Sequence, residues 1–213
     1  MSDCFIKYLV VCKKKKPDAK DAVLNERAIQ LLRLFWRKGR KMIKAIVYTT
    51  NTGNTERYAK ILGHQINLPV YTLDYAKKVL ERETPIIYLG WIMASSIKRY
   101  KDAEKHFCVR MVCAVGMGAT GTQLSEVRNK NHIPSSTEVF TLQGGFDMEK
   151  LRGANKLMMS MMVKTAGKAL AEKADRTPEE DDMLDMMMNG GSRVSIENLS
   201  EPIKWYEKIC DPV

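Results

Sequence analysis

One hexapeptide constrains this chain more than any other feature: Thr50-Asn51-Thr52-Gly53-Asn54-Thr55, placed where an apolar strand hands over to a helix. Upstream, Ile43-Lys44-Ala45-Ile46-Val47-Tyr48 has the composition of a short buried strand. Downstream, Ala59, Leu62 and Ile66 recur at helical spacing from about Thr55 to Ile66. Such a junction brings hydroxyls, backbone N–H groups and the positive end of a helix dipole to one point, where an anion is stabilised. Gly53 permits the tight turn, and Thr50, Thr52 and Thr55 offer hydroxyl donors to phosphate oxygens. The loop lacks the Gly-Lys-Ser/Thr of a triphosphate-binding loop, so it suits a terminal monophosphate held by neutral donors. The competing reading is an ordinary Ser/Thr-capped helix after a strand.

Beyond this junction the pattern alternates between strand and helix. Strands are predicted at Val70–Asp74, Pro85–Tyr88 (bounded by Gly90), Phe107–Val115 and Glu138–Leu142, with helices near Tyr75–Arg82 and Thr122–Asn129 and a last one over Ile196–Ile209. Five strands separated by helices imply βαβ units and a doubly wound α/β domain. The stretch from about Asp147 to Gly191 interrupts that rhythm and holds nine of the fourteen methionines. Its first half repeats apolar residues every three or four positions from Leu151 to Leu170, with Arg152, Lys156, Lys164 and Lys168 largely elsewhere, as a basic amphipathic helix does. Glu179-Glu180-Asp181-Asp182 and Met186-Met187-Met188 then read as a separate loop or short helix.

The hexapeptide fits the pattern Ser/Thr-x-Thr-Gly-x-Thr at every defined position, and it resembles the phosphate loop of the flavodoxin family; the likeness covers most of residues 42–213. The resemblance implies a flavodoxin-like three-layer sandwich, with a five-stranded parallel sheet in the order 2-1-3-4-5 and a helical insert before the last helix. It implies FMN at the carboxyl edge of the strands, a role in electron transfer, and two further loops around the flavin ring: Gly90-Trp91-Ile92-Met93-Ala94-Ser95 and Val115-Gly116-Met117-Gly118-Ala119-Thr120. The candidate FMN-binding residues are therefore Thr50, Asn51, Thr52, Gly53, Asn54, Thr55, Trp91, Ile92, Met93, Ala94, Val115, Gly116, Met117 and Gly118. Trp91 offers a flat face for stacking on the ring, or packs as a half-buried aromatic at a strand end. The second loop departs from the family, which often places Tyr or Trp there. Phe146 through Met162 loosely resembles the long insert of the menaquinone-dependent protoporphyrinogen oxidases, so a quinone-linked flavin oxidoreductase is the alternative to a carrier.

Gly116-Met117-Gly118-Ala119-Thr120-Gly121 also spells the dinucleotide fingerprint Gly-x-Gly-x-x-Gly. That fingerprint needs an acidic residue at the end of the next strand, whereas Glu138 falls at its start and Gln143 at its end. His64, His106 and His132 show no triad or metal-ligand spacing, and no catalytic or metal-binding residue is assigned. The redox chemistry would be the flavin's.

Charge separates the chain into two parts. Of the formal +10, residues 1–41 carry +8 and residues 42–213 only +2, so the domain gives little support for nucleic-acid binding and lacks the acidity by which flavodoxins meet basic partners. Arg37-Lys38-Gly39-Arg40-Lys41 can be written entirely in purine codons ahead of Met42, as a translated ribosome-binding site would be. Residues 1–41 are thus either a mis-assigned start or a basic extension with Ile29, Leu32, Phe35 and Trp36 on one face. Five cysteines without metal-ligand spacing suit a reducing cytoplasm. Expected partners are redox proteins or a quinone, with membrane-surface contact through the Met-rich insert.

Overall fold

A computed structural model describes residues 42–151 and 153–210. The extension expected over residues 1–41 lies outside the described residues. Strand β1 (Ala45–Thr49) is followed by α1 (Asn54–Gln65), β2 (Val70–Thr72), α2 (Leu73–Val79), β3 (Pro85–Met93), the two-residue β4 (Ser96–Ile97) and α3 (Tyr100–Glu104). Then come β5 (Cys108–Gly116), α4 (Leu124–Asn131) and β6 (Glu138–Gln143). Strands β2, β1, β3, β5 and β6 pair in that order, all parallel, which is the expected 2-1-3-4-5 sheet. The last helix, α8 (Ser200–Cys210), is entered through a 3-10 turn at Glu197–Leu199.

The strands are apolar on both faces because helices cover both. Ala45, Val47, Tyr88, Val112, Ala114 and Val139 form one core with Leu73 and Ala76 of α2, Tyr100 and Ala103 of α3 and Val127 of α4. The alternate residues Ile46, Tyr48, Ile87, Leu89, Met111, Cys113 and Val115 face Tyr58, Ala59 and Leu62 of α1, with Ile203 and Tyr206 of α8 packed against them. Period-2 alternation in the strands thus sorts side chains into two layers around one sheet. The fold is a flavodoxin-like three-layer α/β sandwich.

Two boundaries correct the sequence expectations, and a third region decides between two of them. Strand 2 stops at Thr72, because the Thr72 hydroxyl accepts from the Tyr75 amide at 3.3 Å and starts α2 two residues early. Strand 3 does not end before Gly90; it runs on to Met93, so Trp91, Ile92 and Met93 are strand rather than loop. The extension folds back as a hairpin, pairing Ile92 with Ile97 and Met93 with Ser96. Gly90 stays inside the strand because an added Cβ would press on Ile97 and Tyr88, so only glycine fits the close approach.

The insert is the third. Its first half is a continuous helix, α5 (Gly153–Met162), a π-turn at Val163–Gly167 and α6 (Lys168–Glu172). Its acidic half, open between a loop and a short helix in the sequence, is a twelve-residue helix, α7 (Pro178–Asn189), started by a capping box in which Thr177 and Glu180 satisfy each other's backbone N–H groups. The insert is closed at its base by an antiparallel ribbon, β7 (Gly145–Phe146) against β8 (Gly191–Ser192). Phe146, Leu151 and Met186 give it a small core of its own, with Met148, Met159 and Val163 packed around them.

Candidate functional site

The loop after β1 is built as the first strand-to-helix turn of such a sheet. Gly53 has φ +95°, with nothing within 4 Å of where a Cβ would be, so its need for glycine is conformational. The Thr50 hydroxyl accepts the Gly53 amide at 3.0 Å and tightens the turn. Thr50 thus shapes the loop as an acceptor, its own O–H remaining able to donate, and neither it nor Gly53 lines the cavity described below. No side chain caps α1, in contrast to α2 and α7, which are capped by Thr72 and Thr177. An uncapped helix start leaves backbone N–H groups and the dipole directed at whatever lies in front.

In front lies a cavity of about 440 Å³, within the roughly 300–1,000 Å³ usual for small-molecule sites. It draws together all three segments singled out in the sequence. Asn51, Thr52, Asn54 and Thr55 line it from the first loop, with Thr55 almost fully buried. Trp91, Ile92, Met93 and Ala94 line it from the β3 hairpin, and Val115, Gly116, Met117 and Gly118 from the end of β5. Trp91 pairs with Val115 across the sheet, and the Lys98 ammonium sits 5.3 Å from its ring centroid.

The hairpin turns on Ala94 and Ser95, with φ of +47° and +60°. Both central residues of this turn need positive φ, a place usually given to Asn-Gly, so two side-chain-bearing residues here store strain. Asn131 of α4 holds the turn: its side chain accepts the Ile97 amide at 2.8 Å and donates to the Ser95 carbonyl at 2.8 Å. Ser95 also donates to Glu126. Asn131→Ala should cost about 1–3 kcal/mol, because buried backbone groups lose their partners. Thermal unfolding followed by circular dichroism checks this, and an unshifted transition would contradict it.

The rest of the cavity was not foreseen. Its roof is the insert: Met158, Met159 and Met162 from α5, Met183 and Met187 from α7, and Leu151. With Met93 and Met117, seven methionines line one space. Phe146 of β7 supplies an aromatic where the Val115–Thr120 loop has none. The signal for this closure was present in the glycines flanking the insert, Gly144-Gly145 before and Gly190-Gly191 after, which are the bases of the β7–β8 ribbon. Ser192 of that ribbon donates to the Asn54 side chain at 2.9 Å and accepts from Arg57 at 2.9 Å, tying the roof to the start of α1.

Among the described residues, the one lining side chain with a formal charge is Asp147. Lys150, 2.9 Å away, holds its carboxyl below the usual carboxylate range. Tyr58, behind the loop, donates to the Gln143 carbonyl at 2.5 Å and accepts from Asn198 at 2.7 Å, and burial pushes its phenol up. It is a strut rather than a proton donor. The dinucleotide alternative at Gly116–Gly121 meets a structural objection: the Gly121 amide is spent on the Thr141 carbonyl and the Gln143 amide on the Thr120 hydroxyl, which ties that loop to β6.

Fold and geometry together define a flavodoxin-like α/β protein whose strand-end cavity is roofed by a helical insert. No family model matches the sequence, and comparison with curated proteins finds no match either.

Proposed function

We propose that the cavity binds FMN and that the protein transfers electrons through it. The observation that carries this reading is the uncapped N-terminus of α1 opening, with the Thr52 and Thr55 positions, onto a space of about 440 Å³ walled by the ends of β3 and β5. The first-turn amides and the hydroxyls of Thr52 and Thr55 would hold the phosphate, and Trp91, Ile92, Gly116 and Met117 would border the ring. Bound there, FMN supplies reversible electron acceptance, which no side chain of the cavity offers. The chain's own contribution is to orient the group and keep water from it. Its free Cys108, Cys113 and Cys210 suit a reducing cytoplasm.

The test is a comparison of FMN with riboflavin, followed by quenching of flavin fluorescence. FMN should bind about 30-fold more tightly or better, because charge-assisted hydrogen bonds to phosphate contribute roughly 2 kcal/mol or more. Equal affinity for the two, or failure of either to bind, would overturn the reading.

A second reading is favoured by the roof. Seven methionines and Phe146 make an adaptable apolar wall, which suits a small lipophilic acceptor better than a docked protein. In that reading the protein is a quinone-linked flavin oxidoreductase. Turnover of a soluble quinone by the FMN-loaded protein separates it from a carrier.

A further inference from the structure

The insert has two sides. Met159 and Met162 face the cavity, but Leu157 is 67% exposed and Met161 60% exposed. Leu157 and Met161 lie one turn apart on α5, and Lys164 and Lys168, in and just after the π-turn, are exposed further along the same helix. Leu157 and Met161 are thus followed along the helix by Lys164, Lys168 and the Glu172 that Lys168 faces, while Lys156 precedes Leu157.

Residues 147–191 hold nine Asp/Glu against seven Lys/Arg, but several of these carboxylates are engaged away from Lys156 and Lys164. Glu180 is paired with Lys173 and Asp181 with Arg176, each at 2.6 Å, and Arg193 holds Asp182 and Asp185 at 2.8 and 2.7 Å. Lys156 and Lys164, in contrast, pair with no carboxylate among the described residues, and Lys168 reaches Glu172 only at 3.7 Å. An apolar pair beside uncompensated cations is the surface that anionic lipid headgroups complement.

We propose that this face of the insert docks on an anionic lipid bilayer, with Leu157 and Met161 entering the boundary between headgroups and acyl chains and Lys156, Lys164 and Lys168 on the headgroups. Among the described residues no helix is long and apolar enough to cross a membrane, so the contact is with its surface. Met158 joins the two sides, being 43% exposed and also part of the cavity wall. The cavity therefore adjoins the docking face, and a lipophilic molecule dissolved in the bilayer has a short route to it. The docking itself is independent of the flavin.

The experiment is flotation of the full chain with phosphatidylcholine vesicles, with and without about 30% phosphatidylglycerol. The protein should float with the anionic vesicles, and high salt should weaken the association. Leu157→Asp combined with Met161→Asp should lower the bound fraction about tenfold, and Lys156→Glu with Lys164→Glu and Lys168→Glu should do the same. All five side chains are exposed, so circular dichroism should show both variants folded. Residues 1–41 are also basic, and flotation unaffected by either set would assign the binding to them and overturn the proposal. A protein that stays in the aqueous phase, or a dimer dissolved by the Leu157 and Met161 changes, would overturn it too.

Discussion

Replacing Thr52 with aspartate is expected to abolish useful FMN binding while leaving the fold as stable as before or slightly more so. Thr52 lines the cavity one position before Gly53, where α1 begins without a side-chain cap. A carboxylate there would lie within a few ångströms of the phosphate. At 5 Å and an effective dielectric near 20, two unit charges repel by about 3 kcal/mol, and a phosphate carrying about 1.5 charges raises this to about 5 kcal/mol, a loss of affinity of several thousandfold. The same carboxylate is favourable to the empty protein. It completes the helix dipole, and Asn54, which already donates to the Thr52 oxygen at 3.5 Å, gives it a donor. A merely capped helix would show the second effect without the first. Titration with FMN and a thermal melt of the apoprotein measure the two separately. Unimpaired FMN binding would show that the anion site is elsewhere, and a melting point lowered by several degrees would show that Thr52 is a structural residue.

The alternation of strands and helices from Ile43 to Leu142 was readable from local signals, apolar runs and a helical repeat in α1, whereas the strand order and the three segments around the cavity came with the resemblance carried by Thr50–Thr55. What was misjudged depended on partners distant in sequence. Gly90 looks like a strand terminator, and only Ile97, folded back beside it, shows why a glycine belongs inside β3. The acidic run at Glu179–Asp182 fits a loop or a short helix in sequence, and distant partners decide for the helix, with Glu180 closing the capping box and Asp182 accepting from Gln143 at 2.6 Å and Arg193 at 2.8 Å. The methionines were the least decipherable. Thioether side chains carry no directional chemistry, so their spacing reveals an amphipathic helix but not which object its apolar side covers. That object is the cavity for Met158, Met159 and Met162 and solvent for Leu157 and Met161. Thr50 illustrates a different limit: the motif position reads as a ligand donor, and the structure adds a loop-shaping role that the motif does not spell out, its oxygen accepting the Gly53 amide.

Gly145→Val is expected to unfasten the roof without unfolding the sheet. A Cβ at Gly145 would collide with the Gly191 carbonyl and lie 2.8 Å from both the Ser192 Cα and the Asn54 side-chain nitrogen. Two of these obstacles are backbone, so no rotamer change relieves them, and overpacking of this kind costs about 3 kcal/mol or more. The cost falls locally. The β7–β8 ribbon has two residue pairs, and the insert it closes has its own small core of Phe146, Leu151 and Met186, separate from the two cores of the sandwich. Opening the insert is therefore easier than global unfolding, and 3 kcal/mol raises its open population roughly a hundredfold. Limited proteolysis should cut within residues 147–190 faster by about that factor, while amides of β1, β3 and β5 keep their protection from exchange. Ser192→Ala serves as the milder control, removing the bonds to Asn54 and Arg57 without a clash. FMN affinity should fall with Gly145→Val, because the wall of methionines leaves the cavity and the start of α1 loses its anchor. Uniform loss of protection across the sheet would show that insert and sandwich are one cooperative unit. Unchanged proteolysis would show that the roof is held by its helices rather than by the ribbon.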